Sequence, residues 1–593
     1  MENIAKKFKI LNACWAKKLE KTNEGKTKPK FILVFFNEDP LHLHPYEVNY
    51  MANLSPYLDS GDVEVFEYQV DELIAKCNGG RKKRQVVIDP SLLWTLPIPY
   101  YFDSTISSSM ATTVRSAVSY IQTYSCVRWQ EDPNHLISGR MRVRFVSGTG
   151  CNSMVGMMPY SSSSIEQIIN LNNDQCNSLG TAIHEMTHCM GFQHEHQRYD
   201  RDSSIYIDTS NVNPNYLYAY SKVTSSDTTN YNMPYDFGSV MHYAPYGFCV
   251  DCSKPVMIAY DQFYQSTMGS NDFLTFVDIL RLNSRYNCAA LCPNPPACQN
   301  NGIVNPNNCA QCICPKGFGG TLCDQRASDN NPSCGGTTLL ANYYWKTLTG
   351  TIDQTNNIGT PTSIPYHKCF WKIIAPTNKL IQIQIVSATN RCNSGCTIEA
   401  LELKLFDMRK TGYKFCCQQY NSAYTGNVTA SNLAIVHFYT QNNGVCADTN
   451  SNCASWAASG ECNNNPSYML PSCPVSCNQC KLATFSVQYR ISNTDITCYD
   501  QNTNCAYWAS IGECLNNPPY MLPFCAASCN VCLCMDLNSN CAYWAATNQC
   551  THIFNHYCMR HHFQQHKCIN QLDFGYRLGK IELTYMLDII TAS

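Results

Sequence analysis

Apolar positions recur at helical spacing through Val114, Ala117, Val118, Ile121 and Tyr124, which predicts an amphipathic helix. Residues 141–146 alternate instead, as a strand with one buried face does. The same alternation at 380–385 and 402–405 predicts two-faced strands of a β-sandwich. The run Phe31–Phe36 is six residues, against the ~20 that a membrane span needs, so no span is expected. The opening residues are basic but carry no apolar stretch of ~7–15 residues before a small-residue cleavage site, so no export signal is read there.

Cysteine spacing divides the chain. Residues 1–84 hold only Cys14 and Cys77 and end in Arg81, Lys82, Lys83 and Arg84, a basic tetrad read as a processing site that closes a leader. Residues 85–290 mix helix and strand and are long enough for a core of their own. A dense cluster from Cys292 to Cys323 fills 291–324, a stretch too short to fold without disulfides. The sandwich is expected at 334–445. Then Cys446, Cys453, Cys462, Cys473, Cys477 and Cys480 are separated by 6, 8, 10, 3 and 2 residues, and the same gaps return from Cys498 to Cys532. Residues 534–568 begin a third copy that breaks off with five cysteines, so it is read as degenerate, truncated or misassigned, and 569–593 is a tail.

The chain has 38 cysteines among 593 residues and only 15% charged residues, which places it in an oxidising, extracellular setting. Such a chain without an export signal predicts a misassigned first exon, not a cytosolic protein. The net charge of −2 gives no basic surplus for a nucleic-acid partner.

One segment carries chemistry. In His184-Glu-Met-Thr-His188, the two histidines stand four apart on one helix face and can reach a single ion. Glu185 lies beside the open position, placed to take a proton from water. Gly191 allows the chain to turn sharply out of the helix, and His194 returns as a third imidazole. Three protein ligands with an open fourth position is the arrangement of catalytic zinc, whereas structural sites are closed. With 15 histidines in the chain, a chance His-Glu-x-x-His has odds of at most about three in a hundred.

The stretch HEMTHCMGFQHEHQRYDRD resembles the signature of the astacin metalloproteases, which belong to the metzincins, at every specified position. Tyr235–Tyr243 (YDFGSVMHY) resembles that family's Met-turn. The resemblance implies a multi-domain α+β protein. Its catalytic domain would be two-lobed, a mixed twisted sheet with long helices, followed by EGF-like, β-sandwich CUB and short-helical ShKT modules as in nematode members. It further implies one Zn²⁺ held by His184, His188 and His194, Glu185 as general base, Met241 as the floor and Tyr243 as oxyanion donor. His242 is expected as a packed neighbour. Cleavage after Arg84 would free Gln85 as a terminus buried against Glu195. Cys126–Cys288 and Cys151–Cys176 match the family's disulfides; Cys249 and Cys252 would pair locally and leave Cys189 unpaired. In the leader, Gly61-Asp62 fit the end of the family's Phe-x-Gly-Asp latch, with Asp62 in the place of water, although Asp59 stands where the family has Phe.

The expected function is that of a secreted zinc endopeptidase made as a zymogen, acting on protein or peptide substrates of the extracellular, cuticle or host matrix. The CUB and ShKT modules would supply matrix or cuticle contacts. The rival reading is a toxin-like or adhesive protein in which proteolysis is secondary. Channel-blocking relatives carry a Lys before the Tyr of the ten-residue loop; here Ser467 and Pro519 precede Tyr468 and Tyr520. A pseudoprotease would lack a ligand or the base, and none is lost. Asn427-Val-Thr429 is a glycosylation sequon. The terminal histidines His552, His556, His561, His562 and His566 are read as solvated.

Overall fold

The computed structural model describes residues 2–23, 28–29, 43–77, 92–158, 165–225, 228–331, 333–352, 366–388, 392–417, 424, 426–441, 450–465, 469, 472–473, 476–477, 483–492, 502, 504–517, 520–521, 525 and 528–529. Arg84, Gln85, the third repeat and the tail lie outside them. The chain forms two units, 1–496 and 497–593. Among the described residues no helix is long and apolar enough to cross a membrane.

The leader contributes helices α1 (Glu2–Asn23), α2 (Pro45–Met51) and α3 (Glu67–Cys77). A Cys14–Cys77 disulfide ties α1 to α3. Phe8 and Leu11 of α1 bury with Val70 and with Tyr218 of the following domain, so the leader's small core is completed by its neighbour.

That neighbour is built on strands β1 (Ile98–Phe102), β2 (Trp129–Glu131), β3 (Arg142–Val146), β4 (Cys151–Ser153) and β5 (Glu166–Leu171), in the order β2-β1-β3-β5-β4. The pairings are parallel except for β4, which runs antiparallel to β5 at the edge. Helix α4 (Ser108–Tyr124) is capped by the Ser107 side chain and buries Val114, Ala117, Val118 and Ile121, the apolar stripe read from the sequence. Helix α5 (Leu179–Cys189), capped by Ser178, is buried along almost its whole length, and α6 (Phe276–Arg285) starts with a Thr275/Asp278 capping box. Cys126–Cys288, Cys151–Cys176 and Cys249–Cys252 are bridged, and Cys189 is free and buried. Three short-range disulfides close the 292–323 module.

A two-sheet sandwich follows. Its strands are β6 (Thr338–Leu340), β7 (Lys346–Ile352), β8 (Tyr366–Ile374), β9 (Ile381–Ser387), β10 (Glu399–Lys404), β11 (Tyr413–Phe415), β12 (Asn427–Val428), β13 (Leu433–Gln441) and β14 (Ala483–Ile491). The sheets run β6-β8-β13-β10-β11 and β7-β14-β9-β12. The expected sandwich boundary at residue 445 is corrected here: β14 lies between β7 and β9, so the first cysteine repeat is inserted before the last strand of the sandwich. The reason is plain in the pattern. Ala483, Phe485, Val487, Tyr489 and Ile491 are buried in alternation, and leaving this strand out would unpair one hydrogen-bonded edge of both of its partners. The repeats themselves form short helices at Cys453–Ala458 and Glu461–Asn464, and again at Cys505–Ser510 and Glu513–Asn516. Each pair is stapled by two described disulfides.

Candidate metal centre

His184 and His188 lie one helical turn apart on α5, and their rings meet edge to face at 4.8 Å between centroids. Gly191 ends the helix at φ +100°, a conformation that suits glycine, and the close approach of the Arg285 guanidinium leaves no room for a Cβ. The chain then doubles back and brings the His194 ring to 4.6 Å from that of His188. His184 Nδ1 donates to the Val240 carbonyl and His188 Nδ1 to the Phe192 carbonyl, both at 2.8 Å, so each ring points its Nε2 inward.

The leader supplies the fourth group. Asp62 is fully buried, with a carboxylate oxygen 3.4 Å from His184 Nε2, 3.8 Å from His188 Nε2 and 3.1 Å from His194 Nε2. Ligand atoms of all four residues lie within 4.8 Å of one another. Burial pushes the Asp62 carboxyl up, but His194, His184 and His188 together outweigh it and hold it well below the usual carboxylate range.

These residues fit a zinc ion. Burial pushes the His188 imidazole well below its ordinary value, so the ring is neutral; with Nδ1 donating, its Nε2 offers a bare lone pair. That atom stands only 3.2 Å from His194 Nε2. His184 Nε2 is buried with no hydrogen-bond partner among the described residues. Three imidazole nitrogens and a carboxylate oxygen converging on one point form a donor set that suits a borderline-soft cation.

Glu185 is also fully buried, and neither of its oxygens has a hydrogen-bond partner among the described residues. Burial raises its carboxyl well above the ordinary value, and the Asp62 charge raises it further. The Tyr243 hydroxyl is likewise buried without a hydrogen-bond partner among the described residues, and its ring lies 4.6 Å from that of His194. Met241 is buried, and its carbonyl accepts from the Glu195 amide at 2.8 Å. His242 bonds Tyr235 and the Tyr243 carbonyl through its two ring nitrogens and is not one of the four residues whose ligand atoms converge.

Arg281, Asp236, Tyr46 and Asn49 contribute to the site without a signal local to it in the sequence. Glu195, expected to meet a new terminus, here accepts from Arg281 and Arg198 and from the Asp236 amide. Burial pushes its carboxyl up, but Arg281 and Arg198 outweigh that and bring it down to about 2. A cation on the buried face of α6 was the available signal for Arg281. Tyr46 of the leader stacks on Tyr243 at 4.1 Å, and Asn49 bonds the Gly61 carbonyl at 2.9 Å and the Cys151 amide at 2.8 Å. Asn427 sits half-buried on the short edge strand β12, while Thr429 of the same sequon is buried.

Residues 86–287 match the model of the astacin peptidase family, and 445–480, 497–532 and 533–560 match the ShK domain-like model. The zinc metalloproteinase nas-31 of Caenorhabditis elegans is 36% identical over 391 residues, covering 64% of this chain and 60% of its own length. The zinc metalloproteinase nas-27 of the same organism is 34% identical over 380 residues, covering 63% of this chain and 84% of its own. Among solved structures, high choriolytic enzyme 1, a hatching enzyme zinc-protease of the medaka Oryzias latipes, is 30% identical and covers 33% of this chain and 95% of that one, with a TM-score of 0.30.

Proposed function

Because the chain belongs to the astacin family of zinc metalloproteinases, we propose that it is an endopeptidase secreted as a zymogen, with His184, His188 and His194 holding the zinc and Asp62 latching it until the leader is cut after Arg84. The observation that carries this reading is the convergence of three inward-facing imidazoles beside a carboxyl, that of Glu185, with no hydrogen-bond partner among the described residues.

A zinc ion bound there supplies Lewis acidity that polarises a peptide carbonyl and makes water a stronger acid. The chain's own residues do the rest. Glu185 takes the proton of the attacking water and hands it to the leaving nitrogen, which requires it to begin ionised. With the leader seated its carboxyl is held neutral by burial; departure of Asp62 removes a like charge and admits water, and both changes lower the proton affinity. Tyr243 then donates its hydroxyl to the developing oxyanion, the contact that its buried phenol lacks in the latched chain. The Val240 carbonyl locks the His184 ring, and the Met241 carbonyl holds the amide that follows His194. The Gly191 turn fixes where His194 returns.

Extracellular, cuticle or host matrix proteins are the proposed substrates. The EGF-like, CUB and ShKT modules, with the Asn427 sequon, suit a secreted protein that meets its substrate on a surface. The test is a full-length preparation measured before and after leader removal against a quenched peptide library, with a zinc chelator as control. Trimmed protein that contains one zinc and cleaves nothing overturns the endopeptidase reading.

A further inference from the structure

The turn Tyr235–Tyr243 fixes two of the site's groups: His184 through the Val240 carbonyl and Glu195 through the Met241 carbonyl. It is held in turn from two sides. From its own domain, Ser239 Oγ donates to Asp278 at 2.8 Å and accepts from the Met241 amide at 3.1 Å. From the other side comes the sandwich. The β10–β11 hairpin presents Thr411, whose amide donates to Asp236 Oδ1 at 3.2 Å and whose hydroxyl donates to Asp236 Oδ2 at 3.3 Å. Asp236 is fully buried, and among the described residues its carboxylate's one other donor is the Gly238 amide at 3.1 Å, within the turn itself. The same residue's amide donates to Glu195 Oε1 at 2.9 Å.

The fit is tight. A Cβ on Gly238 would lie 2.5 Å from Thr411 Oγ1, so the absence of a side chain at that position is what lets the hairpin reach the turn. Lys410 lies 4.6 Å over the Tyr264 ring and 5.5 Å over Phe237, and those two rings stack at 4.4 Å. Next along β11, the Lys414 ammonium donates to Ser270 Oγ at 2.6 Å and the Thr267 hydroxyl accepts from the Lys414 amide at 3.1 Å. Residues of the turn and of the sandwich belong to one continuous hydrophobic cluster.

We propose that the sandwich is part of the catalytic scaffold and that Thr411 is a positioning residue, which fixes Asp236 and thereby the turn that orients His184 and Glu195. This inference rests on the endopeptidase reading for its kinetic consequence but not for the coupling itself. A buried carboxylate that loses a donor shifts to recover one, and because Asp236 Oδ1 also accepts from the Gly238 amide and its own amide donates to Glu195, such a shift pulls on the turn.

The test uses the full chain, trimmed of its leader and loaded with zinc, as wild type, Thr411→Val and Thr411→Ser. Valine keeps the shape and removes the hydroxyl; serine keeps the hydroxyl. With a quenched peptide, Thr411→Val is expected to lower kcat about 3- to 10-fold with KM within about twofold, the loss of one hydrogen bond acting on geometry and not on substrate contact. Thr411→Ser is expected to restore kcat to within about twofold of wild type. Hydrogen exchange at the amides of 236–243 is expected to speed up in the valine variant alone. Wild-type kcat and exchange in Thr411→Val overturn the proposal, as does a serine variant no better than valine. If the wild type itself cleaves nothing, the endopeptidase reading falls while the exchange comparison still decides the coupling. Should Thr411→Val not fold, Thr411→Ala, which also removes the hydroxyl but adds no bulk, takes its place: wild-type kcat and wild-type exchange at 236–243 in Thr411→Ala overturn the proposal, as does a Thr411→Ser variant no better than Thr411→Ala.

Discussion

Asp62→Asn in the intact chain tests the latch most directly. The carboxylate is fully buried and stands between 3.1 and 3.8 Å from three imidazole nitrogens. Asparagine keeps the shape and removes the charge. Breaking a buried charge cluster by removing one partner costs ~3–5 kcal/mol, which raises the population of the unlatched state by about 10²–10⁴. The segment should not be freed completely. The Asp62 carbonyl still accepts from the Ser153 amide at 3.2 Å, the Glu64 amide still donates to the Ser153 carbonyl at 2.9 Å, and Asn49 still pairs with Gly61 and Cys151. Intact Asp62→Asn should therefore cleave a quenched peptide about two orders of magnitude faster than the intact wild type, yet below the trimmed enzyme. Intact mass after the assay excludes trimming as the cause, and metal analysis should still find one zinc per chain. An intact variant as silent as wild type would refute the assignment of Asp62. Activity equal to the trimmed enzyme would refute the holding role of the backbone pairing.

Glu185→Gln should retain zinc and fold while losing about 10²–10⁴ in kcat, read by single-turnover cleavage. Tyr243→Phe should lose about 10²–10³ and leave measurable turnover with little change in KM. Tyr46→Ala removes a ring that stacks at 4.1 Å on Tyr243 and should raise the basal activity of the intact chain without altering the trimmed enzyme, a comparison made on one preparation before and after cleavage. Acid should not unlatch the zymogen readily. The folded-state pKa of Asp62 is depressed, so its contribution is in place above the unfolded value of ~3.9 and is lost only as pH falls below it. Exchange protection of the amides around 59–64 should be flat from about pH 8 to 5.

The site was legible because its chemistry is local. Two histidines four apart, a glycine and a third histidine lie within eleven residues, and helical geometry alone brings the first two together. Arg281, Asp236 and Tyr46 were not legible, because each meets the site across 41 residues or more of sequence and no period in the chain encodes such a meeting. The sandwich shows a different failure. Ala483–Ile491 carries a clean two-residue alternation, but it stands between two cysteine repeats whose regular gaps make it read as a linker. Repeat spacing marks where disulfides close; it does not say whose core the intervening residues join.

Groups expected to act at the metal centre are among the buried polar atoms left unsatisfied. Among the described residues, both Glu185 oxygens, the Tyr243 hydroxyl and His184 Nε2 are buried polar atoms without a hydrogen bond. Each such atom ordinarily costs ~1–3 kcal/mol, so a fold would not gather them in one place without an offset. The offset lies in the leader. Tyr46 and Asp62 fill the space over the turn and the imidazoles, and Val48 adds its apolar surface to the same domain's core. Removing the leader takes that packing away and opens the same atoms to water, a peptide and an ion, all of which they can bond. On the proposed zymogen reading, the chain with its leader seated is stable as a whole while these atoms are not individually satisfied, and cleavage would pass their unmet hydrogen bonds to the substrate.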